Sequence, residues 1–232
     1  MTRRIAIIPA RGGSKRIIKK NIRDFCGKPI IGYPLEAARK SELFDVIHVS
    51  TDDVAIADVV SELGHPVHFM RPDNLSDDFA VTMPVIKAVI DEFDKRGETF
   101  DQVCLLLPCT PLINSGDLQG AVEMFEKTGG NNPIITITPL PIPVEWAYRQ
   151  NNEGQLIPMH EGAFKIRSQD LPTAYYGSGA FIIFPIGHIQ NSIGAGENDD
   201  FYGYELPKNK AVDIDNEEDW VFAEKLFLAN KL

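Results

Sequence analysis

Short apolar segments rich in Val and Ile alternate with stretches of helical period along the first half of the chain, and this alternation restricts the fold more than any other feature. Strand candidates are Arg4–Ile8, Val46–Ser50, Val67–Phe69, Gln102–Leu107 and Ile134–Thr138. Runs of this kind suit strands covered on both faces. Helical candidates lie between them: Ile31–Ser41, Val54–Leu63, Met83–Arg96 and Asp117–Lys127. In the second of these, Ile56, Val59, Val60 and Leu63 recur at helical spacing. Strands alternating with helices imply an α/β fold, a mainly parallel sheet with helices on both faces. Pro34 lacks an N–H, so the first helix must start later than Pro29 or kink. The 232 residues, 44% of them hydrophobic, suffice for one well-buried core. We read residues 1–232 as a single domain.

The rhythm changes after Leu140. Pro139, Pro141 and Pro143 stiffen the chain, and Trp146–Arg149 and Gln155–Met159 read as paired short strands around Asn152-Glu153-Gly154. Residues 139–177 are too few for an independent domain and are read as an excursion from the sheet. Trp146, Tyr148, Phe164 and Ile166 within it need cover, which a second subunit would supply. The core pattern resumes at Ala180–Phe184. A strand at Ala211–Ile214 and a helix over Asn216–Ala229 follow, with Asp215 and Glu218 spaced as a capping pair.

A formal charge of −10 argues against non-specific nucleic-acid binding, which needs a broad basic surface. It suits a soluble cytoplasmic protein. Three cysteines without regular spacing do not make a disulfide framework, and the five histidines show no zinc-type spacing. No signal-type segment and no apolar run of membrane-spanning length occurs, so no membrane partner is expected.

Against this acidic background, cations cluster after the first strand. Ile8-Pro9-Ala10-Arg11-Gly12-Gly13-Ser14-Lys15-Arg16 is followed by Lys19-Lys20-Asn21. Glycines let main-chain N–H groups turn inward, and the cations can neutralise a polyphosphate. The loop has neither the Walker A order nor the G-x-G-x-x-G of dinucleotide folds. Its place at the carboxyl end of a strand is where open α/β sheets bind ligands. Ser50-Thr51-Asp52-Asp53 should reach the same edge, with helix capping by Asp52 or Asp53 the plainer reading. Arg71-Pro72 offers an arginine for a base or phosphate, or a surface ion pair. Leu107-Pro108-Cys109-Thr110-Pro111 is a rigid turn. In Asp213-Ile214-Asp215, strand geometry would turn both carboxylates toward one cation, and Mg²⁺ favours a few carboxylates plus substrate phosphates.

These segments, together with Gly27-Lys28-Pro29 and Arg167-Ser168-Gln169-Asp170-Leu171, resemble the acylneuraminate cytidylyltransferases from Ile5 to about Phe222. The likeness is greatest to the branch that activates pseudaminic acid. The resemblance implies a Rossmann-like sheet of the nucleotide-diphospho-sugar transferase type and a homodimer made through the excursion. It implies that CTP and a nonulosonic sugar acid give CMP-sugar and pyrophosphate, with Mg²⁺ as cofactor. Carried over by position, Arg11, Gly12, Gly13, Ser14, Lys15, Lys20 and Asn21 correspond to ligands of the nucleotide and its phosphates. Arg71, Ala80 and Thr82 match positions near the cytosine and ribose. Lys15, Arg11 and Asp215 would be catalytic, and Asp213 and Asp215 the metal carboxylates. Leu107, Arg167, Gln169 and Tyr176 fall on the sugar side. Leu107 replaces a glutamine of the sialic-acid enzymes and cannot hydrogen-bond an acceptor, so the acceptor should differ from ordinary sialic acid. Tyr176 stands where an arginine is common, and Ile18 where proline is. Legionaminic and N-acetylneuraminic acids are the alternative acceptors, and a non-catalytic nucleotide-binding protein on this scaffold is the rival class.

Overall fold

The computed structural model describes residues 2–75, 82–191 and 200–230. In chain order the elements are β1 (Arg4–Pro9), β2 (Asp24–Phe25), β3 (Lys28–Pro29), α1 (Gly32–Ser41), β4 (Val46–Ser50), α2 (Val54–Glu62), α3 (Thr82–Lys95) and β5 (Gln102–Leu106). Then come α4 (Ser115–Lys127), β6 (Ile134–Pro139), β7 (Tyr148–Gln150), β8 (Leu156–Pro158), β9 (Tyr175–Pro185), α5 (Ile186–Asn191), β10 (Tyr202–Glu205) and α6 (Glu217–Ala229).

Six strands make one sheet in the order β10-β6-β9-β5-β1-β4. β1 pairs in parallel with β4 and β5, and β10 with β6. β9 runs antiparallel between β5 and β6. Period-two alternation in β1 divides its side chains between two cores. Ala6 and Ile8 pack with Leu35 of α1, Val60 of α2 and Phe125 of α4. Ile5 and Ile7 pack on the other face with Ile86, Ile90 and Phe93 of α3. Helices therefore cover both faces, as the alternation predicts. A third cluster joins Ile17, Phe25, Ile214 and Trp220, and the rings of Phe25 and Trp220 meet edge to face at 5.4 Å. It docks α6 and the segment before it onto the loop after β1.

Several expectations need correction. Val67–Phe69 is irregular. Its apolar side chains are covered by the two cores without a strand partner. Ala211–Ile214 is also irregular. β10 is an edge strand that the apolar pattern missed, because Tyr202-Gly203-Tyr204-Glu205 is half exposed. The α6 cap is Asn216, paired in a capping box with Asp219, rather than Asp215 with Glu218. α1 starts at Gly32, which puts Pro34 in its first turn, where no intrahelical N–H bond is lost.

The chain leaves the sheet over 140–174, shorter than the expected 139–177 because Pro139 still pairs with Tyr175 and Ile137 with Gly177, and this excursion carries the β7–β8 hairpin that the sequence predicts. Tyr148 stacks on Phe164 at 4.7 Å, and the Trp146 indole N–H donates to the Ala163 carbonyl at 3.2 Å. Leu156, Ile157, Met159, Phe164 and Ile166 remain exposed in the single chain. No helix among the described residues is long and apolar enough to cross a membrane.

Candidate functional site

Loops at the carboxyl ends of the parallel strands enclose a cleft of about 510 Å³ whose walls include Arg11, Ser14, Lys15, Lys20, Asn21 and Asp215. Lys15 and Asp215 thus share one cavity although they come from opposite ends of the chain. Arg16 and Pro108 complete its rim.

The loop after β1 is held from below. Ala10 N–H donates to the Ser50 carbonyl at 2.9 Å, and Gly12 N–H to Asp52 Oδ1 at 3.1 Å. Gly12 passes so close to Asp53 that a Cβ there would lie 2.4 Å from its Oδ2 and 2.8 Å from its Cβ. Gly13 has no such neighbour within 4 Å. Asp53 caps α2 by accepting from Ala55 N–H at 2.8 Å. The two adjacent acids therefore divide their work, one capping and one anchoring the loop. Buried Asn21 donates through Nδ2 to the Arg11 carbonyl at 2.9 Å.

The acidic pole comes from the segment before α6. The Asp219 carboxylate accepts from the main-chain N–H groups of Asp215 and Asn216, at 2.9 and 3.0 Å. With capping met by others, the Asp215 carboxylate faces Arg16 at 2.7 Å and Lys20 at 3.7 Å. The Lys20 ammonium also donates to the Ile214 carbonyl. Ile214 is buried in the third cluster, so the period-two alternation expected of a strand survives here without strand pairing. The Asp213 carboxyl is raised above its usual range by desolvation and then by the charge of Asp215, with Lys20 opposing. Gly179 of β9 lies beside it, a Cβ there being in ordinary contact with Asp213 Cγ at 3.4 Å, and its φ of +68° is what favours glycine at this position.

This pair fits a divalent cation. Asp215 lines the cleft, whereas Asp213 is outside its lining and close enough to Asp215 to feel its charge, and the described residues contain no group of three or more His, Cys, Asp or Glu able to cage a metal. A hard cation taking its other ligands from phosphate and water suits such a donor set.

Arg71 is buried rather than at the surface. It donates through Nε to Ser50 Oγ at 3.1 Å and through Nη2 to the Ser50 carbonyl at 2.6 Å. It lines a separate cavity of about 280 Å³ with Ser50 and Phe69 rather than the cleft, and burial lowers its pKa, with Asp52 opposing and Arg11 adding. Thr82 and Leu107 instead line a second, apolar cavity of about 240 Å³ together with Ile135, Ile182 and Phe184. Gly179 borders this cavity as well as Asp213. Arg167 and Gln169 lie on the exposed excursion, and Arg167 pairs with Asp170 at 2.7 Å. Tyr176 is exposed at the start of β9. None of these three is brought to the cleft within one chain. Ala80 lies outside the described residues. Ile18 is exposed and leaves the apolar clusters to Ile17. Sequence reasoning missed the left-handed backbone at Gly179, although a glycine inside a strand often marks an irregularity of the ladder.

Residues 5–164 match the family described as cytidylyltransferase. The chain is 36% identical over 231 residues to the pseudaminic acid cytidylyltransferase of Campylobacter jejuni, covering 97% of each. It is 32% identical over 237 residues to the CMP-N,N'-diacetyllegionaminic acid synthase of Legionella pneumophila, covering 98% of this chain and 97% of the other. A solved CMP:2-keto-3-deoxy-manno-octonic acid synthetase complexed with CTP superposes over 100% of both chains, with a TM-score of 0.72 and 17% identity, which shows the common fold. Likeness across nearly the whole length, on a sheet that gathers cations and carboxylates at one edge, makes this chain a member of the cytidylyltransferase family of nucleotidyltransferase enzymes.

Proposed function

We propose that the enzyme joins CTP to a nonulosonic sugar acid, pseudaminic acid foremost, to give CMP-sugar and pyrophosphate. The single observation that carries this reading is the shared cleft of Lys15 and Asp215. The anomeric hydroxyl oxygen bonds to the α-phosphorus as the bond from that phosphorus to the bridging oxygen breaks. Arg11, Ser14, Lys20 and Asn21, with the main chain at Gly13, hold the phosphates, while the Gly12 N–H is committed to Asp52 and holds the loop. Lys15 stabilises charge that moves onto the departing pyrophosphate. Asp215 takes the proton of the attacking hydroxyl. Asp213 and Asp215 would hold Mg²⁺, which when bound supplies charge neutralisation at the phosphates. Arg71, Ala80 and Thr82 serve the nucleoside.

The acceptor reading draws on the apolar cavity at Leu107. Pseudaminic acid carries a methyl group where sialic acid ends in a hydroxyl, and an apolar wall favours the methyl. The relative from Campylobacter jejuni points the same way. Legionaminic acid is the second reading, favoured by the Legionella pneumophila relative. A homodimer would cover the exposed apolar residues of 139–177 and bring Arg167, Gln169 and Tyr176 to the neighbour's sugar pocket. A charge of −10 and a nucleotide substrate suit the cytoplasm.

The test is pyrophosphate release from CTP and Mg²⁺ with a panel of nonulosonic acids. Pseudaminic acid should be turned over fastest. A faster rate with N-acetylneuraminic acid would overturn the acceptor assignment, and CTP binding without turnover of any acid would overturn the reaction.

A further inference from the structure

Beneath the cation loop runs a short relay of hydrogen bonds that begins at a thiol. Cys109 Sγ donates to Asn21 Oδ1 at 3.4 Å, and Asn21 Nδ2 donates to the Arg11 carbonyl at 2.9 Å. Both side chains are buried. An amide presents an acceptor at one end and donors at the other, and its orientation depends on what surrounds it. A donor beside Oδ1 selects the orientation in which Nδ2 meets the Arg11 carbonyl. Burial pushes the Cys109 thiol up to about 12, with Lys20 opposing and Asp213 and Asp215 adding. It therefore keeps its hydrogen at neutral pH. Cys109 packs in the same apolar cluster as Ile17 of the basic loop and Ile214 of the acidic segment, where the two poles of the cleft meet.

The thiol is itself held in place. Leu107 N–H donates to the Ala180 carbonyl at 3.0 Å, which extends the β5–β9 ladder to the turn. Thr110 Oγ1 donates to the Leu107 carbonyl at 2.8 Å. Pro108 and Pro111 restrict the backbone on either side. A rigid turn from the sheet edge thus presents one weak donor to one buried amide.

We infer that Cys109 is a positioning residue for the nucleotide loop: its thiol orients Asn21, and Asn21 holds the Arg11 carbonyl, so that the loop after β1 keeps one geometry before substrate arrives. A loop held in its binding geometry loses less freedom when ligand binds. The inference rests on the proposed nucleotide-binding role of Arg11, and its test separates the two.

Cys109→Ser keeps a donor in a similar volume. Cys109→Val keeps bulk and removes the donor, and Cys109→Ala removes the donor without overpacking should the valine variant fold poorly. Amide hydrogen exchange over residues 10–22 in the nucleotide-free protein reads the relay directly, and KM for CTP against kcat reads its consequence. The valine and alanine variants should exchange about fivefold faster in this segment and show KM raised about fivefold with kcat within about twofold, the scale of one buried hydrogen bond. The serine variant should restore both. A cysteine that only fills space predicts the reverse order, with valine tolerated and serine impaired, and that result would overturn the inference. Faster exchange with an unchanged KM would uphold the relay and overturn the nucleotide role of Arg11.

Discussion

Gly12→Ala offers a test whose size follows from the geometry. The added methyl would lie 2.4 Å from Asp53 Oδ2, 2.8 Å from its Cβ and 2.9 Å from its Cγ. Rotation of the Asp53 side chain can relieve the Oδ2 and Cγ contacts but not the Cβ contact at 2.8 Å, because Cβ moves only with the backbone. That backbone is the N-cap of α2, held by the bond from Ala55 N–H to Asp53 Oδ1 at 2.8 Å. Either the cap gives way, at about 0.5–2 kcal/mol, or the loop after β1 is displaced, with a packing cost of about 1–3 kcal/mol. We expect Gly12→Ala to lose about 1–3 kcal/mol in urea unfolding and to raise KM for CTP. Gly13→Ala, with nothing within 4 Å of the new methyl, should stay within about 0.5 kcal/mol of the parent. Asp53→Gly removes the obstructing Cβ, and glycine at an N-cap costs only about a few tenths of a kcal/mol. The double variant Gly12→Ala, Asp53→Gly should therefore recover most of the loss. Native stability and KM in Gly12→Ala, or no recovery in the double variant, would refute the argument.

Lys15→Ala should lower kcat at least about a hundredfold, the scale of one transition-state donor, while the thermal midpoint barely moves; turnover near the parent rate would remove Lys15 from catalysis. Asp213→Asn should raise the Mg²⁺ concentration needed for half-maximal rate about tenfold, and an unchanged metal titration would count against that carboxylate as a ligand. His48 is buried with Nδ1 3.3 Å from His68 Nδ1, and desolvation, followed by His68, Arg71 and Arg96, holds its pKa down to about 3 from 6.5. The unfolded chain therefore binds this proton first, and stability falls as the pH drops below about 6.5, by about 2 kcal/mol at pH 5. His48→Leu should flatten that part of the acid unfolding profile, and identical acid slopes for the two proteins would show that His48 does not set it.

Continuous apolar strands were readable because burial on both faces leaves no polar residue to break the run, as in β1 and β5. β10 escaped because an edge strand has only one ladder partner and a half-solvated surface. Gly203 marks it afterwards: a Cβ there would lie 2.3 Å from Ile137 Cδ1, so the glycine gives that side chain its place and removes the residue that would have signalled β structure. Val67–Phe69 failed the opposite way, since cover by two cores imitates a strand without requiring a ladder. In the candidate site, the clustered cations and Asp215 were legible because charge is costly to gather without a counter-charge, whereas nothing in the Asp213-Ile214-Asp215 spacing told that Asp213 stands outside the cleft lining. The Cys109–Asn21 contact was not, because it joins residues 88 positions apart through an uncharged group.

The ion pair between Arg16 and Asp215 spans 199 residues of sequence. Synthesis delivers the basic pole first and the acidic pole only after all six described strands of the sheet have been made. A partly synthesised chain can therefore fold much of its scaffold while remaining incapable of closing the cleft, and prematurely terminated products would be inert even when they are stable.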